Sequence, residues 1–208
     1  MGHQRGAHGG GHARGHGDAG PAPKRVVVAY GFWLFLLSDI VMFSAFFASY
    51  AVLHGQTAHG PTARELFDTR NTAIETACLL ASTFTCSLAS IATSVRNRRW
   101  FYAAMAVTCL LGLTFLSLEA TEFVRLVGRG AGPTRSAFLT AFFTLVGCHG
   151  LHVSLGILWL LTMMAQVFAK GFRADIERRI LCFALFWHTL DIIWVAIFSI
   201  VYLMGAST

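Results

Sequence analysis

Three pairs of ionisable residues recur at one interval within the most apolar parts of the sequence. They are Glu119 and Glu122, His149 and His152, and His188 and Asp191. Asp39 stands alone in "FWLFLLSDIVMFSAFFASY", and Glu75 sits near the start of a second apolar run. A spacing of three places each pair on one face of a helix. Such groups cost several kcal/mol at bilayer depth, so they face the bundle interior and pair with one another.

Three chemistries fit these residue types. Two histidines with carboxylates resemble the inward ligands of di-iron bundles, but no Glu-x-x-His occurs. Three histidines also cannot serve both a haem and a copper, so the expectation is no metal and no catalytic residue in this chain. A proton path is the second reading. Helices starting near 30 and 99 put Asp39 about 14 Å, and Glu119 about 30 Å, from the same membrane face, a gap that needs water or another subunit. The third is a structural hydrogen-bonded network of Glu75, Glu119, Glu122, His149, His152, His188 and Asp191, joining helices where the hydrophobic effect between them is weak. That reading is favoured for the histidines. Asp39 stays open between a structural and a proton role.

The elements that must hold these groups are membrane spans. Of 208 residues, 55% are hydrophobic and 12% charged, against the ~25% charge of soluble domains. The expected fold is all-α, with five transmembrane helices at about 30–54, 71–95, 99–125, 135–169 and 178–204, inside a domain of 30–205. Residues 1–29, with His3, His8, His12 and His16 among many glycines, read as a disordered cytoplasmic tail without a cleavable signal. Eleven Lys and Arg fall on the N-terminal side of the membrane and five on the other, which predicts a cytoplasmic N-terminus and a periplasmic C-terminus. The charge of +6 thus reflects topology, with no nucleic-acid partner expected. Cys78, Cys86, Cys109, Cys148 and Cys182 read as packing residues. Ala73, Ala77, Ala81, Thr85, Ala89 and Thr93, with Gly147, Gly150, Ser154 and Gly156, are expected to let helices approach closely. His188 and Asp191 are expected to clamp the fifth helix, with His149, His152 and the glutamates as candidate partners.

"GFWLFLLSDIVMF", "LEATEF", "GAGPTRSAFLTAFFTLVGCHGLHVSLGILW" and "LFWHTLDIIWVAIFSIVYLMG" resemble subunit III of the haem-copper terminal oxidases, from about Tyr30 to Gly205. Within that family the quinol-oxidising, cytochrome o (bo) type is the nearest in pattern. The resemblance implies a bundle without a redox centre, docked on catalytic subunit I, which carries haem and copper. It also implies other subunits of the complex, phospholipids held in a cleft, support of complex integrity and proton uptake, and a bacterial inner-membrane location. The family's buried carboxylate maps onto Asp39, which is often Asp in quinol-oxidising members and usually Glu in cytochrome c-oxidising ones. The two N-terminal helices of seven-helix relatives have no counterpart here. The competing classes are a cytochrome c oxidase subunit III, an independent secondary transporter, disfavoured because no inverted repeat is visible, and a membrane metal enzyme.

Overall fold

The computed structural model describes residues 24–53 and 69–203. They form helices α1 (Lys24–Leu53), α2 (Thr69–Ser94), α3 (Arg98–Gly128), α4 (Ala137–Lys170) and α5 (Ala174–Ile197), the last continued by a π-helical turn, Phe198–Leu203. All five are long and apolar enough to cross a membrane. Among the described residues there are no strands.

The main departures from the expected bounds are at two helix starts. α1 begins at Lys24, so residues 24–29 belong to the helix and not to a tail; "VVVAY" extends the apolar run upstream, right after Pro23 in the sequence. The rest of the tail, with its four histidines, lies outside the described residues. α5 begins at Ala174, where Asp175 and Glu177 occupy the first turn and favour the positive helix end. Polar residues there conceal a helix start from a hydropathy reading.

Every helix buries a seam spaced alternately by three and four. On α1 it runs Phe32, Leu36, Asp39, Phe43, Phe46, Tyr50, Leu53, and on α2 Thr72, Glu75, Leu79, Ser82, Cys86, Ala89, Thr93. α3 shows Phe101, Met105, Thr108, Gly112, Phe115, Glu119, Glu122, Leu126, and α5 shows Ile176, Ile180, Phe183, Trp187, Leu190, Trp194, Ile197. This 3.5-residue period is the signature of knobs-into-holes packing at small crossing angles. It corrects the expected stripe on α2. Ala73, Ala77 and Ala81 are exposed, whereas Ala89 and Thr93 are buried. A strict spacing of four advances about 40° per step on a 3.6-residue helix, so that stripe winds out of the interface.

α2 lies along α3, α5 packs against α2 and α4, and α1 touches only α4 and α5 among the major helix contacts. At one end Arg98 donates to the Val167 carbonyl at 2.6 Å, capping α4 from α3, and Arg96 faces Glu177 at 3.7 Å. At the other end Ser136 starts α4 by accepting from the Leu139 N–H, an ordinary side-chain N-cap.

Candidate functional site

Asp39 reaches the bundle because it sits on the α1 seam, facing α4. Its partner is His152, whose Nε2 stands 3.9 Å from Asp39 Oδ1. The other ring nitrogen, Nδ1, donates to the Cys148 carbonyl at 2.8 Å; a carbonyl only accepts, so this contact fixes Nδ1 as the N–H. The Phe43 ring meets the imidazole edge-on. With α1 starting at Lys24, Asp39 is about 22 Å along it, nearer mid-membrane than the 14 Å expected.

One turn back on α4, His149 is fully buried and held by rings. Trp194 lies 5.1 Å away, Phe115 5.8 Å and Phe43 6.3 Å. Neither nitrogen finds a hydrogen-bond partner among the described residues. His149 and His152 therefore share a helix but not a role.

Glu119 lies against α4 beside that histidine. A Cβ at Gly150 would stand 2.5 Å from its Oε1 and 2.8 Å from its Oε2, so the glycine lets the carboxyl lie directly on α4. Gly147 is less constrained, with Phe123 3.6 Å from where its Cβ would be. Glu75 and Glu122 lie within electrostatic reach of each other and Glu75 of Arg125, and Glu119 of both glutamates. Tyr202 donates to Glu122 Oε2 at 3.3 Å. The π turn, with its extra residue per turn, is what buries Val201 and Tyr202 together.

His188 is placed elsewhere. Its Nδ1 donates to the Ala184 carbonyl and its Nε2 meets Ser87 Oγ of α2 at 3.0 Å. The expected partners, His149, His152 and the glutamates, are not the ones it meets. Physically, residue 188 is one position past the seam residue Trp187 and so points to α2 and not to α4. Asp191 faces Thr83 and His188. Two contacts that the sequence reading missed join the same helices: Trp187 Nε1 donates to Ser82 Oγ at 3.0 Å, and Trp194 Nε1 to Thr76 Oγ1 at 3.1 Å. Thr85 also bonds Thr108 of α3 at 2.7 Å. Their signal was the density of Ser and Thr in "TRNTAIETACLLASTFTCSLASIATS".

The polar side chains thus form three groups. One is the Asp39–His152 pair, one the carboxylate cluster with Tyr202 and Arg125, and one the α2–α5 hydroxyl seam. Among the described residues no three His, Cys, Asp or Glu side chains converge as metal ligands; His149 and His152 flank the Phe43 ring, and His188 lies on the α2 side of α5.

A bundle of five apolar spans with its intramembrane ionisable groups turned inward is that of a multi-pass membrane protein with a polar interior. The model of the cytochrome c oxidase subunit III family matches residues 15–206, and the chain belongs to that family. It is 48% identical over 177 residues to the cytochrome bo(3) ubiquinol oxidase subunit 3 of Pseudomonas aeruginosa, covering 85% of each chain. The Pseudomonas putida protein of the same name is 42% identical over 84% of each. The cytochrome c oxidase subunit 3 of Bacillus sp. strain PS3 is 41% identical, again over 84% of each.

Proposed function

We propose that this chain is the accessory subunit III of a proton-translocating haem-copper quinol oxidase of aerobic respiration, seated in a bacterial inner membrane. Its carrying observation is the match over about 85% of the chain to quinol oxidase subunits, joined to a bundle whose histidines are each engaged in packing or internal bonds. In this reading haem and copper belong to catalytic subunit I, and the isolated chain performs no redox chemistry. The chain's own work is mechanical and protonic. The α2–α5 seam keeps the subunit rigid, and Asp39 with His152 holds a protonatable pair at mid-depth on the α1 wing, beside the proton-uptake region. The lysine and arginine bias supports a cytoplasmic N-terminus.

In this reading the chain also holds phospholipid, and one groove supports that role. A groove of about 520 Å³ between α1, α4 and α5 has Val28, Phe32 and Trp159 on its walls and Arg178 and Arg179 at its mouth. Apolar walls suit acyl chains and the arginines suit a phosphate. Arg178 also pairs with Asp175 and Arg179 with Gln166, so the mouth offers shared rather than idle cations.

A second reading, with cytochrome c as donor, is supported by the Bacillus relative at 41% identity. Purification through this chain in mild detergent, followed by a reduced-minus-oxidised spectrum and oxygen uptake with ubiquinol or reduced cytochrome c, tests both. Haem bands in fixed proportion and uptake with ubiquinol are expected. Uptake with cytochrome c alone would replace the donor, and a colourless, partner-free chain would overturn the oxidase reading.

A further inference from the structure

On the outer face of the α2–α3 hairpin a hollow of about 540 Å³ opens toward the bilayer. Ala92, Ala103 and Ala104 line it with small side chains that leave the space between the helices unfilled. Leu88, Ile91 and Val95 of α2 and Trp100 and Val107 of α3 wall it, each more than two-fifths exposed. Its inner end is shut where Thr85 bonds Thr108 across the two helices at 2.7 Å. The outer end is polar, and the groups there are donors. Asn97 accepts the Trp100 N–H through Oδ1, which leaves its amide N–H groups without a partner among the described residues. The Trp100 indole N–H is likewise unbonded there. Arg99 is exposed, makes no hydrogen bond or ion pair with the described residues, and stands four before Ala103 on the same helix face. No acidic side chain lines the hollow.

Depth and width restrict the occupant. α3 has 31 residues and is about 46 Å long. A hydrocarbon layer of about 30 Å centred on it begins about 8 Å in from Arg98, near Ala103. Asn97, Arg99 and Trp100 thus stand in the headgroup layer, where tryptophan anchors and arginine meets anionic lipid. Thr85 lies nine residues before the Ser94 end of α2, about 9 Å inside the hydrocarbon and short of the mid-plane. The hollow therefore belongs to one leaflet. Spread over about 15 Å of helix, its volume gives a section of roughly 36 Å², under half that of a helix about 10 Å across. A thin apolar chain fits that section, and a negatively charged, acceptor-rich head fits the donors at the mouth. The ammonium of a zwitterionic head would meet Arg99 and find no carboxylate.

We propose that this hollow seats one anionic glycerophospholipid, with an acyl chain along Ala92, Ala103 and Ala104 and its phosphate at Arg99, Asn97 and Trp100. The seat is separate from the groove between α1, α4 and α5, and it depends neither on that groove nor on the identity of the electron donor.

The test places the intact purified complex in phosphatidylcholine vesicles with a trace of phosphatidylglycerol bearing a diazirine on one acyl chain, followed by photolysis and peptide mapping. Label is expected to concentrate in residues 85–95 and 100–107; label in residues 28–32 and 178–182 reports the other groove separately. The same probe with a phosphatidylcholine head is expected to label the hairpin several-fold less. Ala103→Phe fills the hollow from an exposed position and is expected to cut the label there about tenfold for either head. Arg99→Gln is expected to lower only the phosphatidylglycerol label, by about fivefold, the worth of about 1 kcal/mol for one arginine at a lipid surface. Arg129→Gln, exposed at the other end of α3, is expected to change neither. Lipid retained by the detergent-purified complex, counted by mass spectrometry, is expected to fall by one phosphatidylglycerol in Ala103→Phe, which detects a native lipid too slow to exchange with the probe. Equal labelling by both heads, label no denser here than on residues 33–41 of α1, label that survives Ala103→Phe, or absent label with equal retained lipid would each overturn the proposal. Partner subunits co-purifying in unchanged proportion show that a variant complex is assembled, and Val107→Trp serves where Ala103→Phe does not assemble. Failure of both to assemble would show a partner helix filling the hollow and would equally overturn it.

Discussion

α1 and α5 are both long apolar spans, yet more than half of the most apolar stretch of α5 is buried in the bundle and almost none of that of α1. α5 has tryptophan, histidine and tyrosine side chains bonded to α2 and α3, and its rings fill spaces left by Gly112 and Gly156. α1 makes aromatic contacts through Phe32, Phe43 and Tyr50 and one polar contact, Asp39 to His152. The difference teaches that directional bonds and ring-filled notches hold the centre, while the wing is set by a single seam and turns most of its surface outward. In lipid, where apolar contact alone discriminates little between helix and solvent, that is the distinction between a structural helix and one that meets other molecules.

The contrast breaks first at Trp187. Trp187→Ala empties the notch beside Gly112 and Gly156 and strips Ser82 of its donor; a loss of about 3–5 kcal/mol is expected, read as dissociation of the subunit at lower detergent or temperature. Gly156→Ala attacks the same contact from the other side, since the new Cβ would stand 2.9 Å from the indole. About 1–3 kcal/mol is expected there. If both variants were silent, the centre would not be held by α5.

His188→Leu and Ser87→Ala, with their double variant, measure the hydroxyl seam. A coupling of about 0.6 kcal/mol, at most about 1.7, is expected from bonds of this kind in membranes, with haem content unchanged. A collapse of the haem spectrum with the subunit still bound would end the clamp reading. On the wing, Asp39→Asn is expected to cost no more than about 1 kcal/mol of stability while shortening the number of turnovers before inactivation. Unchanged endurance and unchanged lipid content would remove the proton and lipid roles of Asp39 together. Smallest of all, Val41→Ala, at a residue 63% exposed, is expected to change stability by under about 0.5 kcal/mol. A larger drop in the intact complex would show that a neighbouring subunit covers it.

Five spans and their order were legible because length and apolar content alone decide what can cross a bilayer. Inward placement of Asp39, Glu119 and His149 was legible for the same reason. Their pairing was not. His188 and Trp187 are adjacent in sequence but differ by about 100° in direction on a helix, so a reading by depth put His188 with the wrong partners. The small-residue stripe at Ala77 and Ala81 failed through the same angular arithmetic, whereas the seam with period 3.5 is visible once residues are counted in threes and fours. Gly150 was read as a point of close approach, and what approaches is a carboxylate and not a helix backbone, which no spacing rule conveys. The partner of Asp39 had to come from another helix, since its own carries no other ionisable group within reach.

Arg98 opens α3, but the carbonyl it holds belongs to Val167, the last turn of α4. During synthesis, therefore, the hairpin of α2 and α3 is made well before the group that finishes it. A nascent chain halted ahead of residue 167 carries an arginine still waiting for its acceptor, and the lock on this end of the bundle closes only when translation has passed the fourth span. Assembly order is thereby written into a single contact: the early half of the subunit becomes fully seated only after the late half has arrived.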